Sequence, residues 1–216
     1  MNVYFIAGLG ADSRVFKYIK LPAGYEMKHL HWIKPKLKES LAHYAIRLSE
    51  YIEDKQPFVL IGLSMGGMIA SEIAKTKKPT ATILISSIAT SKQLPTTFRV
   101  AQRLHLHKIL PIGLLKNISV FKRMFTSDSK EDQRLLIDMI KRCDAQFIRW
   151  AIGAILGWRN EVVPAPLCHI HGTKDEILPF KYAKPTHAIS NGNHVMILSK
   201  ATEINEMLLR MFTSVK

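Results

Sequence analysis

Apolar runs rich in β-forming residues alternate along this chain with stretches of helical spacing. Val3 to Ala7, Tyr25 to Trp32, Phe58 to Ser64, Ala81 to Ser87 and Pro166 to Gly172 read as strands, with a weaker sixth at Lys184 to Ser190. A short helix is predicted through Val15 to Ile19. Ser40 stands as N-cap to a helix in which Leu41, Tyr44, Ala45, Leu48 and Ile52 share one face. Helix-forming sequence runs from Met65 to Lys75, and Ala201, Ile204, Met207, Leu208 and Met211 mark a closing amphipathic helix. Strands that are apolar at nearly every position must be covered on both faces. With helices between them, they predict an α/β protein built on a doubly wound, mostly parallel sheet. In such sheets the crevice lies beyond the carboxyl ends of the strands. The loops at Gly8, Ser64, Ser87, Asp175 and His194 all follow strands and are expected to meet there.

The alternation breaks between about residues 91 and 160. That segment reads as three or four short helices, including Ser129–Arg142 and Ala145–Trp158, with no clear strand. Its place between two central strands predicts a helical cap insertion, 91–160, over a core made of 1–90 and 161–216. The chain's 216 residues suit one well-buried domain with such an insertion.

Composition adds little except through charge. The 47% hydrophobic and 22% charged content is ordinary for a globular protein. No apolar run approaches the roughly 18 residues of a membrane span. The opening MNVYFIAG lacks a basic n-region and reads as the first strand, not a signal peptide. Cys143 and Cys168 have no metal-like spacing, and reduced thiols in a cytoplasmic protein are expected. The net charge of +14 is concentrated. No acidic residue lies between Glu72 and Asp128, where ten lysines and arginines fall. Such a block suits an anionic partner, and equally a solvated basic surface. No zinc-ligand set, RNP-like motif or helix-turn-helix accompanies it, so nucleic-acid binding is the minor option. Phe98 to Phe125 mixes cations with leucines and isoleucines, a composition open to contact with anionic lipid. A cap packing its apolar face downward explains it better.

The candidate chemistry centres on Gly62-Leu63-Ser64-Met65-Gly66, the G-x-S-x-G pattern between a strand and a helix. A serine on so sharp a turn is held in a strained conformation, and glycines two positions either side remove collisions. Ser64 then sits at a helix N-terminus, where developing negative charge is favoured. A serine nucleophile needs a base, an orienting acid and an oxyanion hole. Downstream, His171-Gly172-Thr173-Lys174-Asp175 and Gly192-Asn193-His194 follow predicted strands in the order serine, acid, histidine.

With these three motifs in place the chain resembles a small α/β-hydrolase, particularly small bacterial members with a Gly-Leu-Gly-Ala-Asp loop. The likeness covers most of 1–90 and 161–216, and the cap contributes little. It implies that Ser64 attacks a carbonyl carbon, that His194 takes and returns the proton, and that Asp175 holds the imidazole. It also implies that the backbone N–H groups of Met65 and Leu9 form the oxyanion hole. Many relatives have His-Gly where this chain has Ala7-Gly8, so Leu9 is the weaker assignment. The chain begins at what the family would count as its third strand. Glu176 competes with Asp175 as the acid, and the family pattern favours Asp175.

Other residues have blander readings. Asp12 reads as a helix cap. The His29/His31, His105/His107 and His169/His171 pairs could share strand faces, but no third ligand at a familiar spacing accompanies them, so no metal is expected. Trp150, Trp158 and their apolar neighbours read as helix core. The expectation is thus a cofactor-free serine hydrolase cleaving a small-molecule carboxylic ester through an acyl-serine. The alternatives are a non-catalytic ligand- or lipid-binding protein on that scaffold, and a membrane-surface lysophospholipase or acyltransferase. Substrate identity and oligomeric state are not encoded in any recognisable pattern.

Overall fold

A computed structural model describes residues 1–103 and 129–214. Among the described residues, six strands form one sheet: β1 (Asn2–Ile6), β2 (Glu26–Leu30), β3 (Phe58–Leu63), β4 (Ala81–Ile85), β5 (Leu167–Gly172) and β6 (His187–Ile189). Their order is β2-β1-β3-β4-β5-β6, and every pairing is parallel. The expected doubly wound α/β architecture is therefore present.

Strand alternation explains the two cores. Tyr4, Ile6, Phe58, Leu60 and Leu84 point to one face, where they pack with α1 (Leu41–Ser49), α2 (Met65–Lys77) and α5 (Ala145–Leu156). Val3, Phe5, Val59, Ile61, Ile83 and Ile85 point to the other, against α7 (Met196–Ser199) and α8 (Ala201–Ser214). The odd and even positions of one strand thus serve different layers. Both sets are buried almost completely, and each such side chain contributes about 1.5–3 kcal/mol.

Helix starts follow their caps. Ser40 accepts a hydrogen bond from the His43 N–H (3.2 Å), and Asp144 does the same for Phe147 (2.8 Å) ahead of α5. The predicted helix at Val15–Ile19 is instead a single 3-10 turn, Ser13–Phe16, capped by Asp12. Its backbone bonds run three residues back, from Val15 N to Asp12 O (3.1 Å) and from Lys17 N to Arg14 O (3.2 Å), and Val15 and Phe16 are already buried. The sixth strand is shorter than expected because its edge pairs only over His187 to Ile189.

Between β4 and β5 the described residues form α3 (Thr96–Arg103), α4 (Lys130–Arg142) and α5, with α6 (Phe180–Ala183) following β5. The amphipathic stretch Phe98 to Phe125 is described only as far as Arg103. The His105/His107 pair lies outside the described residues. Where the chain leaves and re-enters the sheet layer it is stitched together. Ser91 N donates to Asn160 O (2.8 Å), Asn160 N donates to Ser91 Oγ (3.1 Å), and Asn160 Nδ2 donates to Ala89 O (2.8 Å). Trp158 Nε1 donates to the buried Glu72 carboxylate (2.7 Å), tying the same neck to α2.

Candidate active site

The site begins at the end of β3. Ser64 has φ 52° and ψ −120°, the conformation of the first central residue of a type II′ turn, which normally belongs to glycine. It is held there from several sides. Its N–H donates to Ile85 O (3.0 Å), and its carbonyl accepts from Gly67 N (2.9 Å), Met68 N (3.3 Å) and Ser87 Oγ (2.6 Å). A Cβ on Gly66 would collide with the carbonyl oxygens of Ile6 and Ala7, and one on Gly62 with the backbone of Gly66 and Gly67. Both glycines of the pattern are therefore required by backbone proximity. Gly67 is required as well, since a Cβ there would strike Ser87 Oγ.

His194 and Asp175 arrive on two loops that are zipped together. Thr173 N donates to Ile189 O (3.0 Å), Lys174 N to Gly192 O (2.9 Å), and Asn191 N to Thr173 Oγ1 (2.9 Å). Gly172 and Gly192 lie too close for a Cβ on Gly172. This arrangement puts His194 Nε2 at 2.9 Å from Ser64 Oγ and His194 Nδ1 at 2.8 Å from Asp175 Oδ2. All three residues predicted from the sequence are brought together.

The protons can be placed by elimination. Asp175 Oδ1 accepts from the N–H groups of Ile177 and Leu178, both at 2.9 Å, so the carboxylate is an acceptor throughout. His194 then donates from Nδ1 and leaves Nε2 to accept from the Ser64 hydroxyl. Burial alone would push the Asp175 carboxyl up. Electrostatic attraction to the His194 ring and hydrogen bonds from His171 and His194 outweigh burial and hold it well below the usual carboxylate range. Asp175 is ionised at any working pH.

Two histidines that the sequence left as an undecided pair turn out to brace this constellation. His171 donates from Nε2 to Leu178 O (2.8 Å), with Asp175 Oδ2 at 3.3 Å from the same nitrogen. His169 donates from Nε2 to Ser87 O (2.9 Å), and Ser87 in turn bonds the Ser64 carbonyl. Burial, and then the neighbouring His171, push His169 down to about 4, so it is neutral. Their two-residue spacing on β5 was the only sequence signal of a shared face. Ser87 gave none beyond its place after β4. No group of three or more residues suited to a metal is found among the described residues.

The first N–H groups of a helix have no intrahelical acceptor, and Met65 opens α2 directly after Ser64. Leu9 belongs to the loop after β1, where a Cβ on Gly8 would lie 3.3 Å from Ser64 Cβ. Met65 therefore follows the serine directly, and Leu9 follows the glycine that lies against it. The loop closes through Ala11 N to Gly8 O (3.0 Å), with Gly10 at φ 77°. It is fastened to its surroundings by Trp32 Nε1, which donates to Ala11 O (2.9 Å). Asp12 caps the next turn, as its position suggests, by accepting from Arg14 N (3.0 Å). Arg14 also bridges Asp12 (2.7 Å) to Asp138 of α4 (2.8 Å), so the insertion is tied to this loop. Glu176 is not part of the triad geometry; Asp175 occupies that place.

Comparison with known proteins agrees with this architecture. The model of the alpha/beta hydrolase family matches residues 5–207. The chain belongs to the alpha/beta hydrolase family. An uncharacterized protein of Mycobacterium tuberculosis (strain H37Rv) is 25% identical over 191 residues, covering 76% of this chain and 56% of the relative. One from Mycobacterium bovis matches to the same extent. The chain thus spans little more than half the length of these curated relatives. Among solved structures, MenH from S. aureus superposes with a TM-score of 0.77 at 17% identity, covering 100% of this chain and 94% of that one. A thermophilic esterase from Thermogutta terrifontis gives 0.73 at 15% identity, covering 100% and 90%. An esterase from Exiguobacterium antarcticum gives 0.70 at 17%, covering 100% and 91%. At these identities the structures speak to the fold.

Proposed function

We propose that this chain is a serine hydrolase that cleaves a carboxylic ester through an acyl-serine intermediate. The observation that carries the reading is the continuous hydrogen-bonded series Asp175–His194–Ser64, with its serine in a strained turn at a helix N-terminus. The contacts of each member support its role in this reading. Ser64 Oγ attacks the ester carbonyl as His194 Nε2 takes the hydroxyl proton. The resulting imidazolium faces the ionised Asp175, which keeps the ring in the productive tautomer. The tetrahedral oxyanion is received by the N–H groups of Met65 and Leu9, each such donor typically lowering the barrier by about 2.7–4 kcal/mol. His194 then returns its proton to the leaving alkoxide. Water, activated by the same histidine, releases the acid and restores Ser64.

The three side chains supply nucleophile, base and orienting acid, so this chemistry calls for no cofactor. A purely binding protein on the same scaffold would have no use for a serine held in glycine's conformation, since such strain clusters where it serves function. The esterase names among the structural neighbours are in line with the ester reading. The test is steady-state hydrolysis of soluble nitrophenyl esters of increasing acyl length. Wild type should turn them over with saturation, and His194→Ala should fall by several orders of magnitude. Turnover that survives in His194→Ala would refute the assignment.

A further inference from the structure

A surface feature that the triad does not use stands on the same edge of the sheet. The loop after β2 runs Lys34-Pro35-Lys36-Leu37-Lys38, and its three lysines are exposed. Leu37 at its tip is 92% exposed. A single exposed leucine is ordinary. This one is flanked by cations on both sides, and the loop that carries it is rigidly built. Glu39 N donates to Lys36 O (3.2 Å), Lys36 N donates to Glu39 Oε2 (2.8 Å), and Arg47 Nη2 donates to Lys34 O (2.9 Å). Lys38, at φ 55°, takes the left-handed position of that turn. The nearby carboxylate, Glu39, is engaged by Arg47 through Nε and Nη2, both at 2.8 Å, with its side chain almost wholly buried. Among the described residues, none of the three lysines forms an ion pair, so their charge is left for an outside partner.

We infer that this loop is a docking point for an anionic lipid surface, with Leu37 entering the interface and Lys34, Lys36 and Lys38 meeting the lipid phosphates. Apolar tip and cationic flanks are the two signals that peripheral membrane contact combines. Position supports the choice of partner. β1, β2 and β3 run parallel, so the loop shares the carboxyl edge with Gly8 and Ser64. Its root is joined to the candidate oxyanion loop by the Trp32–Ala11 hydrogen bond and to α5 by Trp150 Nε1, which donates to Glu39 O (2.8 Å). A bilayer seated on Leu37 lies on the side from which Ser64 is approached. The net charge of +14 adds a long-range attraction. Where the hydrolase reading holds, the substrate class narrows to acyl esters carried in an anionic membrane. The docking itself does not depend on that reading.

The test uses Ser64→Ala protein, which cannot consume lipid, with vesicles of phosphatidylcholine alone or mixed with phosphatidylglycerol. Co-sedimentation should require phosphatidylglycerol and weaken with added salt. Converting Lys34, Lys36 and Lys38 together to Glu should reduce the partition coefficient about a hundredfold or more, from roughly a fivefold factor per lysine. Leu37→Ser should reduce it about tenfold. Neither change touches the core, and turnover of a soluble ester by the same loop variants on a Ser64 background should stay at the wild-type rate. Absence of vesicle binding, or equal binding by the Ser64→Ala protein with and without either loop change, overturns the proposal. Binding to duplex DNA that depends on the lysines but not on Leu37, without vesicle binding, overturns it in favour of a nucleic-acid surface. Failure of soluble-ester turnover with intact docking would count against the hydrolase reading alone.

Discussion

Ser64 offers a test of whether its backbone is held against its own preference. In most folded positions, replacing alanine by glycine lowers stability by about 0.5–1 kcal/mol, because glycine loses more freedom on folding. Here the sign should reverse. At φ 52° and ψ −120° a residue with a Cβ carries strain of about 1–3 kcal/mol, and glycine carries none. Against that gain stands glycine's greater unfolded-state freedom, about 0.4–1 kcal/mol. Ser64→Gly should therefore be more stable than Ser64→Ala by about 0.5–2 kcal/mol. Both variants lose the hydroxyl and its 2.9 Å contact with His194, so that term cancels. Urea denaturation gives the difference directly. For a chain of this size it corresponds to a rise of about 2–4 °C in Tm per kcal/mol. Equal stability, or the usual advantage of alanine, would show that the turn relaxes once the hydroxyl is gone and that no strain is stored there.

Three further outcomes follow from the contacts. Gly66→Ala places a methyl against the carbonyl oxygens of Ile6 and Ala7; it should cost about 1–3 kcal/mol and abolish turnover by shifting the elbow, as read by denaturation and ester kinetics together. His169, held near pKa 4 when folded against about 6.5 when unfolded, supports the neutral buried form fully above pH 6.5. That support is lost as pH falls toward 4, amounting to about 3 kcal/mol, and the extra acid sensitivity should vanish in His169→Gln when denaturation is followed across that window. Trp158→Phe removes the donor to Glu72 Oε1 and should destabilise by about 1–3 kcal/mol without affecting kcat, since the contact lies in the neck of the insertion and not at Ser64.

Much of this molecule could be read before its structure. The strands announced themselves because a parallel sheet covered on both faces leaves no polar alternation to confuse the pattern. Ser64, Asp175 and His194 were legible because each stands beside glycines whose need is local: Gly62 and Gly66 at the elbow, Gly172 and Gly192 where two loops touch. What escaped depends on pairing across the chain. Nothing in the spacing of Arg14 tells that it meets Asp138, nor in Glu72 that it receives Trp158. His169 and His171 were read only as sharing a strand face, with no metal expected, because strand periodicity reveals a common face but not what stands opposite. Opposite them stand Ser87, Leu178 and Asp175. The short turn at Ser13–Phe16 was overestimated because helical spacing of two or three apolar residues cannot distinguish one turn from several.

The most direct test of the central claim is peptide mapping by mass spectrometry after reaction with a fluorophosphonate, on wild type and on folded His194→Ala and Asp175→Asn variants. The account predicts one adduct per chain on Ser64 in wild type, and labelling slowed by orders of magnitude in both variants, because only the intact Asp175–His194–Ser64 series makes that hydroxyl a nucleophile. An adduct on another residue, or equal labelling of Ser64 in wild type and His194→Ala, would contradict it.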